Sequence, residues 1–259
     1  MHPAHWRLIN AQYLEAMPAT LAAARGNSTA RALAQSDWLV RRKSDGRFLA
    51  VRQGDKLREL HRGALPRELF ADLAALAAAD ASPGHLRPLS GLRERLQALG
   101  LSDDYGEHTG LPLVAEPTVL DYAGRDRYSR PLWLGETAAR QWRAMRTAAA
   151  IDGVVLEAIS GYRSHDYQLG IFRRKLARGQ TIEQILSVNA APGYSEHHGG
   201  DALDISTRGE PAAEESFEAT PAFAWLGRHA ADFGFRMSYP HDNRHGIVYE
   251  PWHWCLAED

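Results

Sequence analysis

Two consecutive glycines, Gly199 and Gly200, sit inside the segment Ser195-Glu196-His197-His198-Gly199-Gly200-Asp201-Ala202-Leu203-Asp204. Glycine adopts left-handed backbone conformations at little steric cost, so this pair is a place where the chain can fold back on itself. Such a fold-back brings His197 and Asp204 to one point. A second segment, Glu250-Pro251-Trp252-His253, offers a further histidine. Three protein ligands with a fourth position left open is the pattern of a catalytic zinc, and imidazole and carboxylate groups suit that ion. The single cysteine, Cys255, excludes an intramolecular disulfide and a thiolate zinc site. The spacing therefore points to His197, Asp204 and His253 as metal ligands.

Glu250 lies three residues before His253. On a regular strand that odd offset sends the two side chains to opposite faces. Pro251 argues against a regular strand here, because it has no N–H to give to a ladder. A tight turn puts both side chains in one cleft, where Glu250 is placed to take a proton from a metal-activated water.

The rest of the chain predicts mixed helices and strands without a repeating βαβ order, hence an α+β fold with an antiparallel sheet. Trp6, Ile9, Tyr13 and Met17 recur at helical spacing and predict a helix over residues 4–25, stopped at Gly26. A hairpin is expected over 37–52, turning at Ser44-Asp45-Gly46. Amphipathic helices are expected over 67–80 and 88–99, separated by Ser82-Pro83-Gly84, and 101–117 reads as a linker or wrapping loop. Helices follow over 136–151, 165–178 and 221–234, and strands over 154–159, 201–206 and 246–256. Two parts result: 1–110, a mainly helical accessory region with one hairpin, and 111–259, which carries the chemistry. His2, His5, His61, His85 and His108 have no ligand spacing and read as surface or packing residues.

Composition narrows the function. A formal net charge of −2 gives no basic excess for nucleic acid. No run of about 18 apolar residues is present to span a membrane. The first residues lack a basic stretch followed by an apolar core, so a cytoplasmic location is expected, or a periplasmic one if a leader has been removed.

The segments SGYRSHDYQ, PGYSEHHGGDALDI and YEPWHW resemble the zinc D-alanyl-D-alanine and L,D-carboxypeptidase family, which includes vancomycin-resistance carboxypeptidases and shares its fold with the hedgehog signalling domain. The family pattern Ser-x-His-x-x-Gly-x-Ala-x-Asp falls on Ser195, His197, Gly200, Ala202 and Asp204, and Glu-x-x-His on Glu250 and His253. The resemblance covers roughly 112–256 and leaves the first hundred residues unassigned. It implies a central antiparallel sheet flanked by helices, Zn2+ held by His197, Asp204 and His253, and Glu250 as catalytic base. It implies Arg163 as a catalytic and substrate-facing arginine, with Gln168, Ser195, Tyr239 and Trp252 as substrate contacts. His198, beside a ligand position, falls outside the pattern and is expected not to bind metal.

The activity implied is removal of the C-terminal D-alanine from peptidoglycan stem peptides or muropeptides. The absence of a leader favours L,D-type recycling over D,D-cleavage. The alternatives are a lysin-type endopeptidase and a non-catalytic zinc-containing binding module. Oligomeric state is left open.

Overall fold

The computed structural model describes residues 6–24, 26–79, 84–101 and 104–257. The ends of the helix expected over 4–25, the histidines His2 and His5, and most of the Ser82-Pro83-Gly84 break lie outside them.

The expected first helix is instead two strands. Arg7–Asn10 (β1) pairs antiparallel with Leu14–Pro18 (β2). Their apolar residues happen to fall at helical spacing, but burial follows another rule. Leu8 and Met17 join a cluster with Leu39, Val51, Leu120 and Trp133 on one face of the sheet. Ile9, Leu14 and Ala16 join Val40, Leu49 and Ala50 on the other. A sheet covered on both faces loses the in–out alternation that marks a strand in sequence. Asp72 fixes the turn by accepting the backbone N–H groups of Tyr13 and Leu14.

The sheet continues through Trp38–Arg42 (β3), Phe48–Gln53 (β4), Lys56–Glu59 (β5), Val119–Arg125 (β6) and Pro131–Leu134 (β7). Its order is β5-β4-β3-β2-β1-β6-β7, and every pairing is antiparallel. The expected hairpin is β3–β4. Among the described residues the N-terminal region thus sets five strands beside its helices; Asn27–Ala34 (α1) and Phe70–Ala78 (α2) cover the two faces of that sheet. The sheet also crosses residue 110, because β6 pairs with β1, with Leu8 opposite Leu120.

Between the two strand sets, Leu92–Gln97 (α3) and Tyr105–Thr109 (α4) are short helices. Leu92, Leu96, Tyr105 and Leu111 pack against Ala190, Ala191, Tyr194 and Tyr239, so this stretch wraps the later part of the chain.

Glu136–Ile151 (α5) has the bounds predicted for it. It buries Ala138, Ala139, Trp142, Met145 and Ala149 at positions three and four apart, the spacing of one helical face. That face packs on a second sheet of Glu157–Ser160 (β8), Ala202–Ser206 (β9), Phe235–Met237 (β10) and His253–Leu256 (β11). Its order is β10-β11-β9-β8, again antiparallel. The last strand begins at His253 and not at 246, since Glu250 and Pro251 form the turn that feeds it.

Three more helices complete the chain. His165–Leu176 (α6) starts where the Ser164 hydroxyl accepts the Tyr167 N–H. Ile182–Leu186 (α7) starts at a reciprocal Thr181–Gln184 capping box. Pro221–His229 (α8) starts at Thr220 with proline in its first turn. No helix among the described residues is long and apolar enough to cross a membrane.

Candidate metal and active site

Strand register assembles the site. Asp204 stands in β9 directly opposite His253 of β11 on one side and Ser160 of β8 on the other. His197 arrives from the 3-10 turn Glu196–His198, just before β9. The chain turns from one to the other at Gly200, whose φ is +81°. A Cβ there would lie 2.6 Å from Leu120 and 2.8 Å from the Gly135 nitrogen, so only glycine fits.

His197, Asp204 and His253 each offer one ligand atom, and these atoms lie within 4.8 Å of one another. All three residues are buried. Asp204 Oδ1 is 3.4 Å from His197 Nε2 and 3.2 Å from His253 Nδ1. The other nitrogen of each imidazole is held from outside. His197 Nδ1 is 2.8 Å from the Gly161 carbonyl, and His253 Nε2 is 2.9 Å from Glu196 Oε2. With those outer nitrogens as donors, each inner nitrogen would offer a lone pair to a metal on the Asp204 side on giving up any proton it holds, as in carboxylate–histidine–metal arrangements. Asp204 Oδ2 accepts from the Ser160 hydroxyl at 2.6 Å, leaving Oδ1 for the histidines.

The electrostatics call for a cation. Burial opposes charge on His253, but its hydrogen bonds to the Asp204 and Glu196 carboxylates outweigh it and push its pKa up to about 10. Glu196, despite the cost of burial, is drawn down to about 2 by its bond to His253. Asp204 likewise stays ionised against burial because of His197 and His253. Two buried carboxylates beside the cluster thus retain positive charge at its centre. A divalent cation would meet the same demand, and two imidazoles with a carboxylate are the donor set zinc accepts.

Glu250 faces this cluster, with Oε2 3.9 Å from His253 Nδ1. Burial pushes its carboxyl up to about 7; Asp204 and Glu196 add to the shift, while His253 and Arg163 oppose it. A carboxylate poised near neutrality suits a group that must both take and return a proton.

Arg163 lies on the other side of Asp204, with Nη2 3.7 Å from Oδ2 and 3.5 Å from the Ser160 hydroxyl. Gln168 departs from its expected role of substrate contact. It is fully buried, accepts from Arg163 Nη1 at 3.0 Å and donates to the Ala190 carbonyl at 3.0 Å. It holds Arg163, and its influence on a bound molecule runs through that guanidinium. His198 stays off the cluster, its Nδ1 2.6 Å from the Arg163 carbonyl and its Nε2 accepting the Gly193 N–H. Burial holds its pKa well below the usual histidine value.

The remaining expected contacts divide. Tyr239 is buried with its ring 4.8 Å from that of His253, so it walls the cluster. Ser195 is buried at the head of the 3-10 turn carrying His197. Trp252 is half-buried and packs against the core beneath the second sheet, which gives it a structural task. Glu196 and Ser160 were not singled out from sequence. Each adjoins a motif residue, but only the fold shows which atom it holds.

Residues 131–258 match the sequence profile of VanY, D-alanyl-D-alanine carboxypeptidase. The C-terminal half of this chain belongs to the VanY family. YodJ of Bacillus subtilis (strain 168), provisionally named a carboxypeptidase, is 36% identical over 126 residues, covering 47% of this chain and 45% of that protein. A D-alanyl-D-alanine carboxypeptidase of Enterococcus faecalis (strain ATCC 700802 / V583) is 34% identical over 117 residues, 41% of this chain and 42% of that one. The chain thus spans under half the length of these curated relatives. The solved LdcB L,D-carboxypeptidase, described in terms of peptidoglycan recognition, is 34% identical over 48% of this chain and 59% of its own, with a TM-score of 0.45.

Proposed function

We propose that this VanY-family chain is a zinc-dependent carboxypeptidase that releases the terminal D-alanine of bacterial cell-wall stem peptides. One observation carries the reading: a buried His197–Asp204–His253 cluster has Glu250, a carboxyl poised near pH 7, within 3.9 Å. The VanY-family match of residues 131–258 supports the choice of substrate class.

Zinc held by His197, Asp204 and His253 would polarise the scissile carbonyl and acidify water. The chain's own residues do the rest. Glu250 removes a proton from the attacking water and returns it to the leaving amine. Arg163, held by Gln168, offers fixed N–H donors to the developing oxyanion or to the substrate carboxylate. Tyr239 closes the site beside His253 and limits its access to water.

Purified protein with zinc, offered stem tetrapeptide and pentapeptide, is expected to release D-alanine, and a chelator is expected to stop it. Release from the tetrapeptide alone assigns L,D-cleavage, and release from the pentapeptide alone D,D-cleavage. No release from either, with zinc bound, sinks the carboxypeptidase reading.

A further inference from the structure

A groove of about 1070 Å³ runs from Arg163 along the boundary of the two strand sets. One wall is formed by residues 22–24 and the β3–β4 hairpin; the other by residues 126–133 and 160–167. The first wall lies wholly outside the segment that matches VanY.

The charges along it are unevenly satisfied. Among its carboxylates, Glu15 is held by Arg41 at 2.6 Å, Asp126 by Arg130 at 2.6 Å and Asp45 by Arg42. Lys43 is buried against Glu116. Arg47, beside the hairpin turn, is exposed; Asp45 accepts its backbone N–H and feels its charge, but the close partner of that carboxylate is Arg42. Arg163 is held by the neutral Gln168 amide oxygen at 3.0 Å, and its nearest carboxylate, Asp204, stands 3.7 Å away. Among the groove's lining residues, Arg47 and Arg163 therefore carry positive charge that no carboxylate meets at close range. Trp133, 4% exposed, also lines the groove, and its indole N–H has no hydrogen-bond partner among the described residues.

We propose that this groove binds the amino-side portion of the substrate, a peptide bearing carboxylate groups, and that Arg47 anchors one of those carboxylates. The inference rests on the carboxypeptidase reading of the site. A carboxypeptidase needs room for a single residue beyond the scissile bond, so a groove this long serves the part of the substrate that continues, on the amino side. Its volume is at the upper end of the roughly 300–1,000 Å³ that holds a drug-sized ligand, ample for several residues. The accessory region is then a wall of the binding site, built by strands that pair directly with the VanY-family half.

Two measurements on the full chain test this. The first is calorimetric binding of L-alanyl-γ-D-glutamyl-L-lysinamide, which lacks the scissile residue and reads the groove without turnover. Binding is expected to weaken about threefold in Arg47→Gln, more in Arg47→Glu, and similarly when the glutamyl carboxylate is amidated, as for an exposed ion pair. Ala23→Trp, which narrows the first wall, is expected to weaken it as well. The second is kcat/KM for a full stem peptide against acetyl-L-lysyl-D-alanine and acetyl-L-lysyl-D-alanyl-D-alanine. The Arg47 variants are expected to lower it several-fold more for the long substrate, through KM. No binding of the tripeptide amide, equal binding of its amidated form, or an equal loss on long and short substrates overturns the groove assignment. Failure of wild-type protein to cleave any of these peptides, with tripeptide binding intact, counts against the site reading instead.

Discussion

Asp204 divides its two oxygens between two tasks: Oδ1 meets both imidazoles, and Oδ2 is held by Ser160. Glu196 does for His253 what the Gly161 carbonyl does for His197, fixing which nitrogen faces inward. Losing such an outer partner typically lowers metal affinity about 10–100-fold. Glu196→Gln is therefore expected to weaken zinc in a competitive chelator titration while leaving the fold intact by circular dichroism. Glu250→Gln is expected to keep wild-type zinc content and lose about 10²–10⁴ in kcat, the usual contribution of general acid–base catalysis. His253→Ala is expected to lose both metal and activity; metal analysis beside an activity assay separates the two. That His197, Asp204 and His253 meet at one point was legible in the sequence because donor chemistry and a Gly-Gly turn are properties of residue type. Glu196 and Ser160 were not, because a glutamate or serine beside a ligand says nothing of the atom it will hold. Gln168 was misjudged for a related reason: position on a helix does not reveal that its amide is fully buried.

Elements bring those residues together, and their legibility followed how each is covered. Helix α5 could be bounded from its apolar stripe because only one face is buried. Strands β1 and β2 could not, because burial on both faces removes alternation and leaves spacing that mimics a helix. The elements are also tied by a buried polar cluster. Glu116 accepts from Lys43 of the turn after β3, from the Tyr162 hydroxyl at 2.8 Å and from the His165 backbone N–H at 2.7 Å. Tyr162 and His165 flank the stretch that carries Arg163. Removing one member of a buried pair leaves the other uncompensated, at a cost of about 3–5 kcal/mol. Lys43→Met is expected to lower stability by that order in urea denaturation, and adding Glu116→Leu is expected to recover part of it.

At the scale of the whole molecule, the seven-stranded sheet runs across residue 110, where the linker-like stretch and the reach of the resemblance set the expected division. A fragment of residues 111–259 exposes the edge of β6 that β1 covers, and unpaired edges invite aggregation. Size-exclusion chromatography of the fragment is expected to show aggregates where the full chain is dispersed. Acid acts on the same junction. Burial holds His165 below the usual 6.5, with Glu116 only partly offsetting it. Burial would raise Glu116, but Lys43 and His165 hold it below 4.5. In both cases the unfolded chain binds more protons, so stability falls as pH drops below 6.5 and falls further below 4.5. Urea midpoints of chelator-treated protein check this, and Glu116→Gln is expected to remove the lower part of the decline. The register that sets Asp204 between Ser160 and His253 has one more consequence. His253 belongs to β11, the strand of its sheet made last, so a growing chain completes the His197–Asp204–His253 cluster only once β11 has docked. Until then the cluster is incomplete, and metal taken up by the finished chain would act as a chemical stamp that the sheet has closed.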